Sequence, residues 1–136
     1  MKILICCSKT FYDKLAPVKS KLESLGHSIL LPNSHDNPAR EYEILAKSPE
    51  EHKKWKGEMF RQSEKKIKQV DALLVLNYEK KGQKNYIGGS TLLEMYDAFR
   101  HNKKIFMVNP APENMLKDEV VGLSPIILNG DLEKVE

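Results

Sequence analysis

Short apolar runs that alternate with helix-like segments are the feature that most restricts the fold of this chain. Residues 2–7 (KILICC) and 71–77 (DALLVLN) are apolar with almost no polar alternation, which is typical of strands buried on both faces. The segments between such runs carry apolar residues every three or four positions, as in helices that pack on a sheet. The alternation predicts a parallel sheet covered by helices on both faces.

The predicted elements follow one another over a single domain, residues 1–136. Strands are predicted at 2–7, 27–31, 71–77, 104–108 and 125–128. Helices are predicted at 11–25, 48–69, 90–102 and 113–119, followed by a last partial helix. Ser48, Pro49 and Glu51 form a capping box with proline at the first helical position, and Gly26 ends the first helix. Pro17 either marks the first turn of that helix or kinks it.

Five strands in a chain of this length fit an α/β flavodoxin-like three-layer sandwich with strand order 2-1-3-4-5. Its switch point lies between strands one and three, and ligands bind there at the carboxyl ends of the strands. The loops after these strands, 8–10 and 78–90, are therefore expected to form the site. Residues 33–47 show no clear period and are predicted to be a long functional or mobile connection.

Two predicted helices each carry an apolar stripe whose packing partner has to be assigned. In the 90–102 helix, Leu93, Tyr96 and Ala98 with Phe99 are expected to face the sheet. In the 48–69 helix, Trp55 and Met59 belong either to the core or to a contact with a second copy of the chain. A homodimer or higher homo-oligomer is expected.

The charge pattern limits the classes of partner. Lys and Arg number 22 against 19 Asp and Glu, a net charge of +3, which suits a small anionic ligand. Lys and Glu interleave over residues 50–68, as on a solvated helix face, so no nucleic-acid partner is predicted. The excess charge is expected around the site, where the lysines concerned are Lys9, Lys80, Lys81 and Lys84.

Several site classes lose support from the absence of their motifs. GxGxxG and GxxxxGK[ST] are absent, so the dinucleotide and P-loop sites lose support, and no cofactor is predicted. Cys6 and Cys7 are adjacent, no CxxC spacing occurs, and the four His show no metal-ligand pattern, so no metal site is predicted. No apolar run approaches the length of a membrane span, and reduced thiols with no signal peptide indicate a cytoplasmic protein.

The segment 85–99 (NYIGGSTLLEMYDAF) carries the strongest chemical signal. Gly88 and Gly89 allow close approach of a ligand and positive φ. Ser90 and Thr91 add hydroxyls at a helix N-terminus, which favours an anion. Glu94 lies one turn further on, where the helix dipole is expected to keep its carboxylate ionised. The ordinary alternative is a glycine turn followed by a surface glutamate.

These segments together resemble the nucleoside 2-deoxyribosyltransferase superfamily, including its nucleotide N-glycosidase branch. The resemblance covers roughly residues 2–110 and rests on ICCSKTFY, VDALLVLN, GGSTLLEMYDAF and KKIFMV, in this order. It implies cleavage or transfer at the N-glycosidic bond of a nucleoside 5′-phosphate or a related (deoxy)nucleoside. The implied substrate is thus a small nucleoside or nucleotide.

The resemblance also implies residue roles. Glu94 matches the nucleophile that attacks C1′, and Asp71 matches the aspartate that assists protonation of the departing base. Ser8 matches a phosphate-binding serine, while Gly88, Gly89 and Ser90 match contacts to the phosphate or the 5′-hydroxyl. Thr91 and Lys9 belong to the same predicted substrate site. Tyr12 or Phe11 matches a first-loop aromatic residue that positions the base.

The sequence departs from the family pattern at two places. Gly88 stands where transferases of this family often carry an aspartate, six residues before the glutamate. The loop 78–87 is also rich in lysine (EKKGQK), and with Ser8 and Lys9 nearby it favours a phosphorylated ligand. Asp71 opens its predicted strand, where the ordinary interpretation is a turn residue away from the site. A non-catalytic nucleotide-binding or sensing domain, and a structural interaction protein, stay open as alternatives.

Overall fold

The sheet is five-stranded and entirely parallel, in the computed structural model that describes all of residues 1–136. The strand order is β2-β1-β3-β4-β5. The strands are β1 Lys2–Cys6, β2 Ser28–Leu30, β3 Ala72–Val75, β4 Lys104–Met107 and β5 Ile126–Ile127. This arrangement confirms the predicted flavodoxin-like α/β sandwich and its switch point between β1 and β3.

Five α-helices and two 3₁₀ helices connect the strands. The α-helices are α1 Leu15–Ser24, α2 Arg40–Lys47, α3 Pro49–Gln69, α4 Gly89–Arg100 and α5 Lys117–Gly122. The 3₁₀ helices are Lys9–Lys14 and Leu132–Lys134. None of the helices is both long enough and apolar enough to cross a membrane.

Alternate residues of each central strand pack into two separate hydrophobic cores, one on each face of the sheet. Ile3 and Ile5 of β1 pack on the face covered by α1, where Leu22 is fully buried. Leu4 and Cys6 point to the opposite face, which is covered by α3, α4 and α5. Because side chains of a strand point alternately to its two faces, a strand apolar throughout is buried on both. This is the physical reason that the apolar runs could be assigned from sequence.

The predicted helix ends are confirmed where a defined cap exists. The Ser48 side chain accepts a hydrogen bond from the Glu51 backbone N–H, and Pro49 begins α3. Gly26 follows α1 with φ of +92°, a left-handed conformation that glycine adopts without the steric cost of a Cβ. Pro17 lies in the first turn of α1, where its missing N–H has no partner to lose.

Residues 33–47 do not form a continuous loop, which corrects the prediction for this segment. Residues 40–47 are the α2 helix, and α2 buries none of its side chains. The helix is only eight residues long, which is shorter than the window over which helical periodicity can be recognised in a sequence. The other boundaries differ by a few residues, chiefly because residues 9–14 form a 3₁₀ helix ahead of α1.

The predicted inner face of α4 is also wrong in part. Ala98 is buried, as expected, together with Thr91 and Met95. Leu93, Tyr96 and Phe99 are about half exposed, at 49%, 51% and 48% of their surface. The α4 sequence contains two apolar stripes, and the stripe of smaller side chains packs on the sheet.

Candidate functional site

A cavity of about 240 Å³ opens where the β1 and β3 carboxyl ends meet. This volume is somewhat below the roughly 300–1,000 Å³ of typical ligand pockets. The cavity contains eight of the nine predicted site residues, which come from the loop after β1 and from the start of α4. They are Ser8, Lys9, Tyr12, Gly88, Gly89, Ser90, Thr91 and Glu94. The switch point of the sheet is thus also the place where the candidate residues converge.

Glu94 lies one turn into α4, and its half-buried side chain faces this cavity. Burial raises the pKa of the Glu94 carboxyl to about 7, although the Cys6 thiol and the Lys66 ammonium both lower it. The start of α4 therefore does not keep this carboxylate fully ionised near neutral pH. Loss of hydration is the largest cause of this shift, and both the protonated and the ionised forms are populated around neutral pH.

Two thiols stand on the β1 side of Glu94. Cys6 is buried, and its pKa is well above the ordinary value because of burial and of its interaction with Glu94. Cys7 lines the cavity, and burial together with the nearby Glu94 raises its pKa to about 12. Both thiols are therefore protonated around neutral pH. The Cys6 thiol donates a hydrogen bond to the Glu94 carboxylate and keeps its proton.

The amino end of α4 offers an anion site at one end of the cavity. Gly88 precedes the helix, and no side chain caps it, so the first-turn N–H groups are free to meet a ligand. The expected positive φ is not found: Gly88 has φ of −84°, and Gly89 is helical. A Cβ on Gly89 would have no heavy atom within 4 Å, so the backbone is open to a ligand there, whereas a Cβ on Gly88 would contact the Tyr86 ring.

Lys80 completes this end of the cavity. Its Nζ donates to Ser8 Oγ at 3.1 Å and lies 4.7 Å from the centre of the Tyr86 ring. No carboxylate lies within ion-pair distance of Lys80. Its charge is therefore available to a ligand that binds beside the amino end of α4.

A tight turn brings Lys80 into the cavity. Lys80 and Gln83 pair as an isolated antiparallel bridge, and Lys81 and Gly82 between them have φ of 49° and 79°. Two consecutive positive φ values are those of a two-residue hairpin turn. Lys81 and Lys84 do not line the cavity, so the prediction that they flank the anion site is not supported.

Asp71 does not join this site, and the prediction of a shared catalytic site with Glu94 is wrong. It immediately precedes β3, and its Oδ2 accepts a hydrogen bond from the Lys2 backbone N–H at 2.8 Å. This position and this hydrogen bond lie at the amino edge of the parallel sheet, whereas the cavity lies at the carboxyl edge. Asp71 thus links the starts of β1 and β3.

The second wall of the cavity contains a charged cluster that the sequence did not predict. Glu41 of α2 accepts from Lys9 Nζ at 2.9 Å through Oε1, and from His52 Nε2 at 2.9 Å and Lys56 Nζ at 3.2 Å through Oε2. Burial opposes ionisation, but the three hydrogen bonds together lower the pKa of Glu41 to about 2. The four residues come from three separate helices, so no local motif could have shown the cluster.

Aromatic side chains surround this cluster. The Lys9 ammonium lies 5.1 Å from the Tyr42 ring centre and 5.8 Å from that of Trp55. Phe60 lies on the other side of Lys56, 5.9 Å from its Nζ. Tyr12 lines the cavity, whereas Phe11 is buried against Tyr78 in an edge-to-face contact at 5.5 Å, so the alternative role of Phe11 is wrong.

Asn33 also lines the cavity. Its Nδ2 donates to the Met59 carbonyl at 3.3 Å and to Ser63 Oγ at 3.0 Å. These two bonds fix the amide orientation, and Oδ1 is left buried without a partner. An unpaired buried carbonyl is energetically costly, which marks a position where a small ligand group or a water molecule would add a missing hydrogen bond.

No group of three or more His, Cys, Asp or Glu side chains has an arrangement that could hold a metal ion. A scan of the sequence against protein-family models found no matching family, and a search of curated proteins found no matching sequence. The resemblance to the deoxyribosyltransferase superfamily therefore stays a prediction, and the geometry of the cavity carries the functional argument.

Proposed function

We propose that this protein cleaves or exchanges the N-glycosidic bond of a nucleoside 5′-phosphate, as the resemblance to nucleoside 2-deoxyribosyltransferases implies. The observation that carries the proposal is the position of Glu94. Its carboxyl group lies in a cavity that has a cationic end at Lys80 and an aromatic wall at Trp55. In such a cavity the phosphate of a nucleotide would contact Lys80, the sugar would lie beside Glu94, and the base would pack against Trp55.

In the proposed reaction, the ionised Glu94 carboxylate attacks C1′ and forms a glycosyl ester as the base leaves. The developing positive charge at C1′ favours the ionised form of Glu94 at the moment of reaction. Water then hydrolyses the ester, which gives a hydrolase, or a second base takes the sugar, which gives a transferase. Ser8, Lys80 and the free N–H groups at the start of α4 hold the phosphate.

The absence of Asp71 from the cavity changes the proposed mechanism. The family role of assisting the departing base passes to another group, because Asp71 is engaged at the opposite edge of the sheet. The carboxylate nucleophile and the phosphate contacts do not depend on Asp71. Glu94 is therefore proposed as the nucleophile, and Asp71 has no proposed role in the reaction.

The test is release of free base from ribo- and deoxyribonucleoside 5′-phosphates, with and without a second base, followed by chromatography. Glu94→Gln is expected to lower the rate at least about 10³-fold. Glu58→Gln, an exposed change on α3, is the matched control. Calorimetric binding of a nucleotide to the wild-type protein without any base release would favour the alternative, a nucleotide-binding domain.

A homodimer also belongs to this proposal. Leu93, Tyr96 and Phe99 form an exposed apolar surface on α4, and Phe60 of α3 is exposed as well. Substituting Tyr96 and Phe99 by serine is expected to shift the sedimentation coefficient toward that of the monomer. A wild-type protein that sediments as a monomer would contradict this part.

A further inference from the structure

The position of Asp71 leaves the departing base without the proton donor that the family pattern supplies. The titratable groups of the cavity are poor replacements. Burial raises the pKa values of Tyr12 and Cys7 and makes both weak acids. Glu41 is ionised near neutral pH, and Glu94 is used as the nucleophile. The electron pair of the broken bond therefore needs stabilisation of another kind.

Lys9 and Lys56 are the two lining cations that pair with Glu41, whereas Lys80 contacts Ser8. Lys9 comes from the 3₁₀ helix after β1 and Lys56 from α3, and Glu41 holds their ammonium groups together. With both lysines charged, two positive charges surround one carboxylate. The net local charge is thus positive, at a wall formed by the rings of Tyr42 and Trp55.

This cluster has more unused hydrogen-bond donors than unused acceptors. A carboxylate has about four acceptor positions, and Glu41 uses three of them for Lys9, His52 and Lys56. Each ammonium group has three N–H donors, and the contact with Glu41 uses one from each lysine. The cluster thus presents mainly donors to a ligand, and a ligand group that contacts it must be an acceptor.

We infer that Lys9 and Lys56 stabilise the leaving base as an anion, so that the site prefers bases with carbonyl oxygens over their amino counterparts. This inference rests on the proposed function. As the Glu94 carboxylate bonds to C1′, the C1′–N bond breaks and its electron pair passes to the base. The charge spreads to the carbonyl oxygens, which accept hydrogen bonds from the two ammonium groups. The base anion then takes a proton from water, and hydrolysis of the ester restores Glu94.

The first test compares nucleotides that differ only in this feature. Uridine 5′-phosphate is paired with cytidine 5′-phosphate, and inosine 5′-phosphate with adenosine 5′-phosphate, in the ribo and deoxy series. The wild-type protein is expected to release uracil and hypoxanthine with a kcat/KM at least about 10-fold higher than for cytosine and adenine. A single preorganised donor contributes about 10²–10³-fold in a closed site. Equal rates, or preference for the amino base, would overturn the inference.

The second test removes the donors. Lys56→Met and Lys9→Met are each expected to lower kcat/KM for uridine 5′-phosphate by about 10- to 100-fold, and for cytidine 5′-phosphate by less than about 3-fold. Lys56→Arg retains charge and donors and is expected to recover most of the activity. Lys54→Met, an exposed neighbour on α3, is the matched control. Equal loss with both nucleotides would contradict the inference and indicate a packing role.

A third measurement separates leaving-group stabilisation from effects on folding. A nucleotide of 5-fluorouracil carries a base that bears negative charge more easily, so it needs the lysines less. Lys56→Met is expected to slow its cleavage less than that of the uracil nucleotide, and an equal factor would overturn the inference. Failure of the wild-type protein to release any base would overturn the proposed function itself, and this outcome is distinct because no substrate preference then exists.

Discussion

The Lys80 ammonium lies 3.1 Å from the Ser8 hydroxyl oxygen, although 72 residues separate the two in sequence. The contact joins the loops that follow β1 and β3, the two strands at the switch point of the sheet. It places a cation without a carboxylate partner beside the uncapped start of α4. This relationship gives the cavity an anion end, and it leads to the first prediction.

Lys80→Met is expected to raise KM for a nucleoside 5′-phosphate by about 10- to 100-fold, because a hydrogen bond to a charged group contributes about 1.5–3 kcal/mol. The KM for the corresponding nucleoside, which has no phosphate, should change little. Steady-state kinetics with both substrates checks this. Lys84→Met is the control, since Lys84 is exposed and lies outside the cavity. Equal effects on both substrates would contradict the assignment of Lys80 to the phosphate.

The raised pKa of Glu94 predicts a specific pH dependence. A nucleophilic carboxylate must be ionised, so kcat/KM is expected to rise with pH and to level off above about pH 7. Lys66→Gln removes a cation that lowers this pKa, so the midpoint should move to higher pH. Rates measured between pH 5 and 9 for both proteins test this, and a profile already level at pH 5 would contradict it.

Glu41→Gln is expected to lower the free energy of unfolding by about 1–3 kcal/mol at pH 7, because it removes a charge that accepts three hydrogen bonds, two of them from lysine ammonium groups. The folded-state pKa of Glu41 is depressed to about 2. Its stabilisation is therefore present above its unfolded pKa and is lost as the pH falls toward 2. Urea unfolding at pH 7 and pH 2.5 measures the difference, which should shrink at the lower pH.

Asp71→Ala separates a structural role from a catalytic one. The Asp71 carboxylate accepts one backbone hydrogen bond at an exposed edge, so we expect a loss of about 1 kcal/mol in unfolding free energy. We expect kcat/KM to stay within about 3-fold of the wild-type value. A loss of several orders of magnitude without a change in stability would show that Asp71 acts in the reaction.

The sheet could be predicted because β1 and β3 are buried on both faces, which leaves an unbroken apolar run in the sequence. The α4 face could not, because Met95 and Ala98 compete with Leu93 and Tyr96 for the sheet, and only packing decides between two stripes. In the folded protein Met95 and Ala98 pack on the sheet, and Leu93 and Tyr96 stay exposed.

The same distinction applies to the site. Glu94, Ser8 and the start of α4 lie near strand ends, so the topology alone predicts that they converge. The Glu41 cluster could not be predicted, because the partners of Glu41 lie 11 to 32 residues away and only the folded chain brings them together. Asp71 was misassigned because a family pattern fixes its place in the sequence but not the end of the strand that reaches the ligand.

The most direct measurement is the mass of the protein during turnover of a slow nucleotide substrate, after rapid acid quenching. Nucleophilic attack by Glu94 predicts an added mass equal to the sugar phosphate, located by peptide mapping on a fragment that contains Glu94 and absent from Glu94→Gln. Base release at the wild-type rate by Glu94→Gln, or an adduct on a different residue, would contradict the account.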